Sequence, residues 1–117
     1  MSGDSLIELR DKLRDFARAR EWERYHTPKN LAMALIVETA ELVEHFQWLT
    51  PEQSHELPPP KFDKVREEVA DVLIYLVELA DVLGIDLAAA AHEKIAKNAG
   101  KYPVEKARGN AAKYDEL

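Results

Sequence analysis

The stretch "VETAELVEHF", residues 37–46, decides how the chain is read. Around it the large apolar residues Leu31, Leu35, Leu42, Phe46 and Leu49 recur at helical spacing. Such a repeat marks the buried stripe of an amphipathic helix. The position where its next large apolar residue belongs holds Glu38, and Glu41 follows one turn on. A carboxylate on a face that should be buried needs a proton, a counter-charge or a metal ion.

Working outward, the chain is punctuated as helices. Ser5 with Glu8 reads as a capping box before Leu6, Leu9, Leu13 and Phe16, a helix to about residue 20. Thr27-Pro28 opens a second helix, to about Trp48. Thr50-Pro51 starts one further turn, which "LPPP" (57–60) stops. A third helix, about 62–83, carries Val65, Val69, Val72, Leu76, Ala80 and Leu83 and ends at Gly84. Asp86 caps a fourth, ending near Gly100, and residues 102–117 form a polar, semi-ordered tail. No polar/apolar alternation or hairpin turn suggests a strand. The reading is an all-α, four-helix single domain over residues 1–117. The run "VLIYLV" (72–77) is apolar all round its helix, which predicts burial against a second copy in a homo-oligomer, dimer or tetramer.

Bulk properties narrow the function. The 117 residues carry a net charge of −6, which disfavours nucleic acid as a partner because that needs a clustered basic face. No apolar run approaches the roughly 20 residues of a membrane span, and the charged N-terminus is no signal peptide. The final "KYDEL" grazes a retention signal, a match read as accidental without an entry signal. Zero cysteines exclude thiolate metal sites and fit a reducing cytoplasm, the expected location.

The third helix repeats the acidic pattern as "EEVAD", with Glu68 and Asp71 three residues apart. Residues at that spacing lie side by side on a helix. Antiparallel packing of the second and third helices would bring Glu38, Glu41, Glu68 and Asp71 together. Four such anions repel, and oxygen-only ligands select a hard cation, Mg²⁺ or alternatively Mn²⁺. Solvated helix charge accounts well for Glu44, Glu67, Glu78 and Asp81 but not for Glu38. A di-iron bundle is disfavoured, because its Glu-x-x-His pattern occurs nowhere in the chain.

Glu38-x-x-Glu41, 26 residues, then Glu68-x-x-Asp71 resembles the metal-binding motif of the all-α nucleotide pyrophosphohydrolases, the MazG-like superfamily. "REWERYHTPKNLAMAL", "ELVEHFQWL", "EEVADVLIYLVELA" and "KIAKNAGKYPVEKARG...KYDEL" are similar to its dCTP pyrophosphatase branch. The resemblance implies a MazG-like, oligomeric, Mg²⁺-dependent enzyme that splits a nucleoside triphosphate into monophosphate and pyrophosphate. Val37 stands where many members have a further Glu, and Leu13 where animal relatives would have a polar base-contacting residue.

Beside that resemblance, Lys94, Asn98 and Lys101 recur along one face of the fourth helix, opposite in sign to the metal site's ligands. A solvated basic helix end would look the same; the resemblance moves Lys94, Asn98 and Tyr102 towards phosphate or sugar contact. Trp48 and Tyr75 each follow an acidic residue by seven, so each is placed to line a base pocket, with Trp22 and His26 in the loop before the second helix. Core filling is the competing role for these aromatics. There is no Cys, Gly-flanked Ser or phosphate-cradling loop, so the economical chemistry is attack by water, with Glu41, beside Glu38, to orient or deprotonate it. The leading function is removal of dCTP-like or modified pyrimidine deoxynucleotides. The alternative is a non-catalytic helical module that binds nucleotides or proteins.

Overall fold

The computed structural model describes residues 3–117, with side chains from Ser5 onward. Among them the regular elements are all helical: α1 (Gly3–Ala19), α2 (Pro28–Glu44), α3 (Pro51–Ser54), α4 (Pro59–Val82), α5 (Leu87–Lys101) and α6 (Val104–Ala107), with 3-10 turns at Glu23–Tyr25 and Tyr114–Glu116. Four of these are long and two are single turns.

The boundaries follow local chemistry. Thr27 accepts a hydrogen bond from the Asn30 N–H at 3.2 Å, and Pro28 takes the first helical position. Thr50 and Gln53 form a reciprocal capping box that opens α3. Three boundaries differ from the sequence reading. α1 begins at Gly3, so Ser5 lies in its first turn and not at its cap. α2 ends at Glu44 and residues 45–49 are turns, because Pro51 pushes Thr50 out of helical geometry. The prolines after Leu57 close α3 but also begin α4, since a helix's first residues have no intrahelical use for an N–H.

Two helices end in the same hydrogen-bonded cap. Gly84 (φ 68°) follows α4, with Ile85 N–H donating to Ala80 O at 2.8 Å and Gly84 N–H to Asp81 O at 3.1 Å. Glu21 (φ 55°) plays the glycine's part after α1, with Trp22 N–H donating to Ala17 O at 2.9 Å. A left-handed non-glycine residue is strained, and here it turns the chain so that Trp22 folds back beside Phe16, rings 5.8 Å apart and edge to face.

The chain divides into two compact units, Met1–Ile85 and Asp86–Leu117. In the first, α4 is the centre, and both α2 and α1 pack on it. Lys61 Nζ donates to His45 O at 3.0 Å, tying the end of α2 to the start of α4. Seven residues back along α2 is Glu38, and seven forward along α4 is Glu68, so the two helices run antiparallel with these carboxylates in register. Among the described residues, full burial is confined to Ala17, Leu31, Val77 and Ala80. The stripe expected on α4 is therefore only partly interior: Val69 (51% exposed) and Leu83 (52%) face out of the chain. Met33, Ile36, Val37 and Val43 on α2 are exposed as well.

The second unit is α5 with the tail folded on itself. Tyr102 and Tyr114 meet edge to face at 6.3 Å, and Lys101 Nζ lies 4.9 Å from the Tyr114 ring. The expected semi-ordered tail thus has a defined anchor. Among the described residues no helix is long and apolar enough to cross a membrane.

Candidate metal centre and nucleotide site

The antiparallel register brings together Glu38, Glu41 and Glu68. Each offers one carboxylate oxygen, and those oxygens all lie within 4.8 Å of one another. Hard cations bind oxygen at about 2.0–2.6 Å, so ligands on one ion are at most roughly 4–5 Å apart. The triangle therefore fits a single hard cation. Burial, first, then a hydrogen bond with Glu68 and the charges of Glu41 and Asp71, push Glu38 up to about 7. Glu68 Oε2 is buried with no hydrogen-bond partner. A carboxyl with raised proton affinity beside an unpartnered buried acceptor suits a positive charge. Asp71 stands outside the triangle, with its charge felt by both Glu38 and Tyr75.

Tyr75 lies one turn further along α4. Burial raises its phenol above the ordinary value, followed by the charges of Glu38, Glu78 and Asp71. Trp22 and His26 form one cluster, rings 6.5 Å apart, at the end of α1. Trp48 is 87% exposed and fills no core in this chain. It sits past the end of α2, whereas Tyr75 is well along α4 from the triangle. The antiparallel register separates the two by on the order of 20 Å within one chain. Lys94, Asn98 and Lys101 belong to the second unit and are exposed on α5, with Tyr102 half-buried at its end.

Two carboxylates set aside in the sequence as surface charge are engaged. Asp81 accepts two hydrogen bonds from the Arg14 guanidinium, at 2.9 and 2.5 Å, which hold its carboxyl below the usual range. Glu78 Oε2 lies 3.0 Å from His26 Nδ1, both side chains largely buried. The approach lacks the alignment of a hydrogen bond, and Glu78 Oε2 remains without a partner. Burial pushes the Glu78 carboxyl up, against the opposing pull of His26. The signal was present in the sequence: Glu78 follows Asp71 by seven and Tyr75 by three, which puts all three on one stripe.

Among the described residues, this acidic triangle on an antiparallel helix pair, with the half-buried Tyr75 further along α4, is the feature that points to a class. Residues 33–117 match the MazG-like family, and the chain belongs to it. It is 41% identical over 115 residues to dCTP pyrophosphatase 1 of Mus musculus and 40% identical to that of Homo sapiens, in each case over 97% of this chain and 68% of the relative. A crystal structure of a pyrophosphatase from Archaeoglobus fulgidus is 46% identical with a TM-score of 0.80, covering 85% of this chain and 93% of that one.

Proposed function

We infer that the chain is a nucleoside triphosphate pyrophosphohydrolase, converting a nucleoside triphosphate and water to monophosphate and pyrophosphate. The observation that carries this reading is the carboxylate triangle in a chain alike over nearly its whole length to enzymes named for splitting dCTP. A dCTP-like or modified pyrimidine deoxynucleotide is the proposed substrate, and Mg²⁺, with Mn²⁺ as a substitute, the proposed ion. Glu38, Glu41 and Glu68 would hold it, with Asp71 beside them; bound there, it supplies positive charge to the phosphate oxygens.

The chain's own groups divide the remaining work. Glu41, on the same face as Glu38, orients the attacking water and takes up its proton. Tyr75 offers a phenol proton beside the triangle. Lys94, Asn98 and Lys101 share one face of α5, and that spacing supports a role in receiving the pyrophosphate, with Tyr102 at the sugar. Trp22 and His26 are proposed to wall the base pocket. Trp48 keeps a stacking role only towards a nucleotide held by another copy of the chain. The exposed apolar residues of α2 and α4 support a homo-oligomer, and a cysteine-free chain suits a reducing cytoplasm.

Incubation with a panel of nucleoside triphosphates and Mg²⁺, scoring monophosphate, diphosphate, pyrophosphate and orthophosphate separately, tests the reaction. Monophosphate with pyrophosphate is expected. Diphosphate with orthophosphate would overturn it. Binding without turnover would favour the non-catalytic module.

A further inference from the structure

From Arg18 to Asn30, across the connection between α1 and α2, every residue except His26 is exposed. The connection has little apolar anchorage of its own: Trp22 rests on Phe16, but both are nearly half exposed. It also begins under strain, because Glu21 holds a left-handed conformation (φ 55°). Such a conformation persists only where other contacts hold the chain in place. His26 makes the inward contact. Its Nδ1 lies 3.0 Å from Glu78 Oε2 of α4, with the two side chains 22% and 14% exposed.

Two acceptors repel at that distance. An ionised carboxylate only accepts, so Nδ1 must carry a proton when Glu78 is charged. With the imidazole also protonated at Nε2, the contact is a charged pair. With a neutral imidazole, Glu78 is a largely buried anion beside an uncharged ring, which is costly. Burial already pushes the Glu78 carboxyl up, against the pull of His26. Histidine is the side chain whose charge changes between pH 5 and 8.

Arg10 and Arg14 of α1, Glu23 of the 3-10 turn and Asp81 of α4 border the same small cavity as the pair. Arg14 and Asp81 hydrogen-bond each other, which raises the guanidinium and lowers the carboxyl, so both stay charged through that range. Arg10 pairs with Asp11 at 3.0 Å, and Glu23 meets Arg18 at 4.0 Å. Burial pushes the Tyr75 phenol further above the range. Glu38 of α2 titrates near 7, but its charge acts on Tyr75, whereas Glu78 feels His26 and Asp81.

We propose that Glu78 is a positioning residue: through His26 it clasps the α1–α2 connection onto α4, firmly while His26 is charged and loosely once it is not. The two signs agree. A histidine that gains a carboxylate partner and a carboxyl raised by burial each contribute stability that is present at lower pH and lost as pH rises. The clasp itself needs no nucleotide. Its consequence, that Trp22 and His26 are best held as pocket walls below about pH 7, rests on the pyrophosphohydrolase reading.

The test is amide hydrogen exchange by NMR on the full chain without nucleotide, from pH 6 to pH 8, corrected for the intrinsic rate. The readout is protection of the Trp22, Tyr25 and His26 N–H groups, which donate to the Ala17, Trp22 and Glu23 carbonyls. The Gly84 and Ile85 amides in the cap of α4 are the control. Relative to them, protection in the parent should fall by about tenfold as pH rises, the low end for a hydrogen bond between charged groups. Glu78→Gln should flatten that dependence. Glu38 still titrates in this variant, so the difference belongs to Glu78. His26→Gln removes the titrating ring and should flatten it too, which decides the matter if the first variant does not fold. Relative protection that is constant with pH in the parent, or that falls equally in a folded Glu78→Gln variant, overturns the clasp and leaves the reaction untouched.

Discussion

Replacing Glu38 by Gln perturbs the group whose proton affinity the acidic triangle changes most clearly. In the folded, metal-free chain its burial and its bond with Glu68 raise the carboxyl from 4.5 to about 7. The unfolded chain keeps the ordinary value. Between those two values the folded state binds the extra proton. Its contribution to stability is complete below about pH 4.5 and is lost as pH rises through about 7. At about 1.36 kcal/mol for each tenfold change in proton affinity, the full effect is about 3 kcal/mol. Glu38 is only half-buried, so solvent screening reduces this to about 1–2 kcal/mol. Gln stays neutral throughout. The metal-free Glu38→Gln variant should therefore exceed the parent at pH 8 by that amount and match it near pH 5. With an unfolding entropy of about 2.1 cal/mol/K per residue, the gain is about 4–8 °C in Tm. Calorimetry in EDTA at fixed protein concentration reads it directly. A variant no more stable than the parent at pH 8 would show that the triangle stores no such repulsion.

Three further outcomes are expected. Asp71→Asn should lower turnover by about 10–100-fold with KM little changed, as expected for a carboxylate whose charge acts on the triangle from outside it; steady-state kinetics with dCTP check it. Trp48→Ala should raise KM by the equivalent of about 1–3 kcal/mol if the ring stacks on a nucleotide held by another copy. A dissociated oligomer with unchanged KM would instead make Trp48 an interface residue. Light scattering of the parent should report a mass above the 13.3 kDa of one chain, because Ile36 (64% exposed) and its apolar neighbours have no cover within it.

The helices were legible because their ends are chemically marked. Thr27-Pro28, Thr50-Pro51, Asp86 and Gly84 each act at the boundary where their type predicts. The misplacements also have causes: prolines stop one helix and start the next equally well, so "LPPP" marks a boundary without saying how much of it is helix. Glu21 adopting a glycine's conformation has no sequence signature. The acidic triangle was legible because Glu38 interrupts an apolar stripe, a conflict that periodicity exposes. Glu78 shares a stripe with Asp71 and Tyr75, but nothing in the sequence sets it apart from the other charges of α4. Its burial depends on α1 and the His26 loop arriving from far away in sequence, which local pattern does not encode. Exposed α4 residues such as Val69 mislead for the same reason: helical spacing shows which residues share a face, not which neighbour covers it.

The central claim is that Glu38, Glu41 and Glu68 hold the ion. Electron paramagnetic resonance of Mn²⁺ titrated with the protein measures this without any reaction, because bound ion loses the sharp signal of free ion. The parent should deplete free Mn²⁺ saturably, and Mg²⁺ should restore the signal by competition. Glu68→Gln, which replaces the carboxylate holding the unpartnered Oε2, should weaken binding at least about tenfold. Undiminished Mn²⁺ binding by a folded Glu68→Gln variant would place the metal elsewhere and contradict the account.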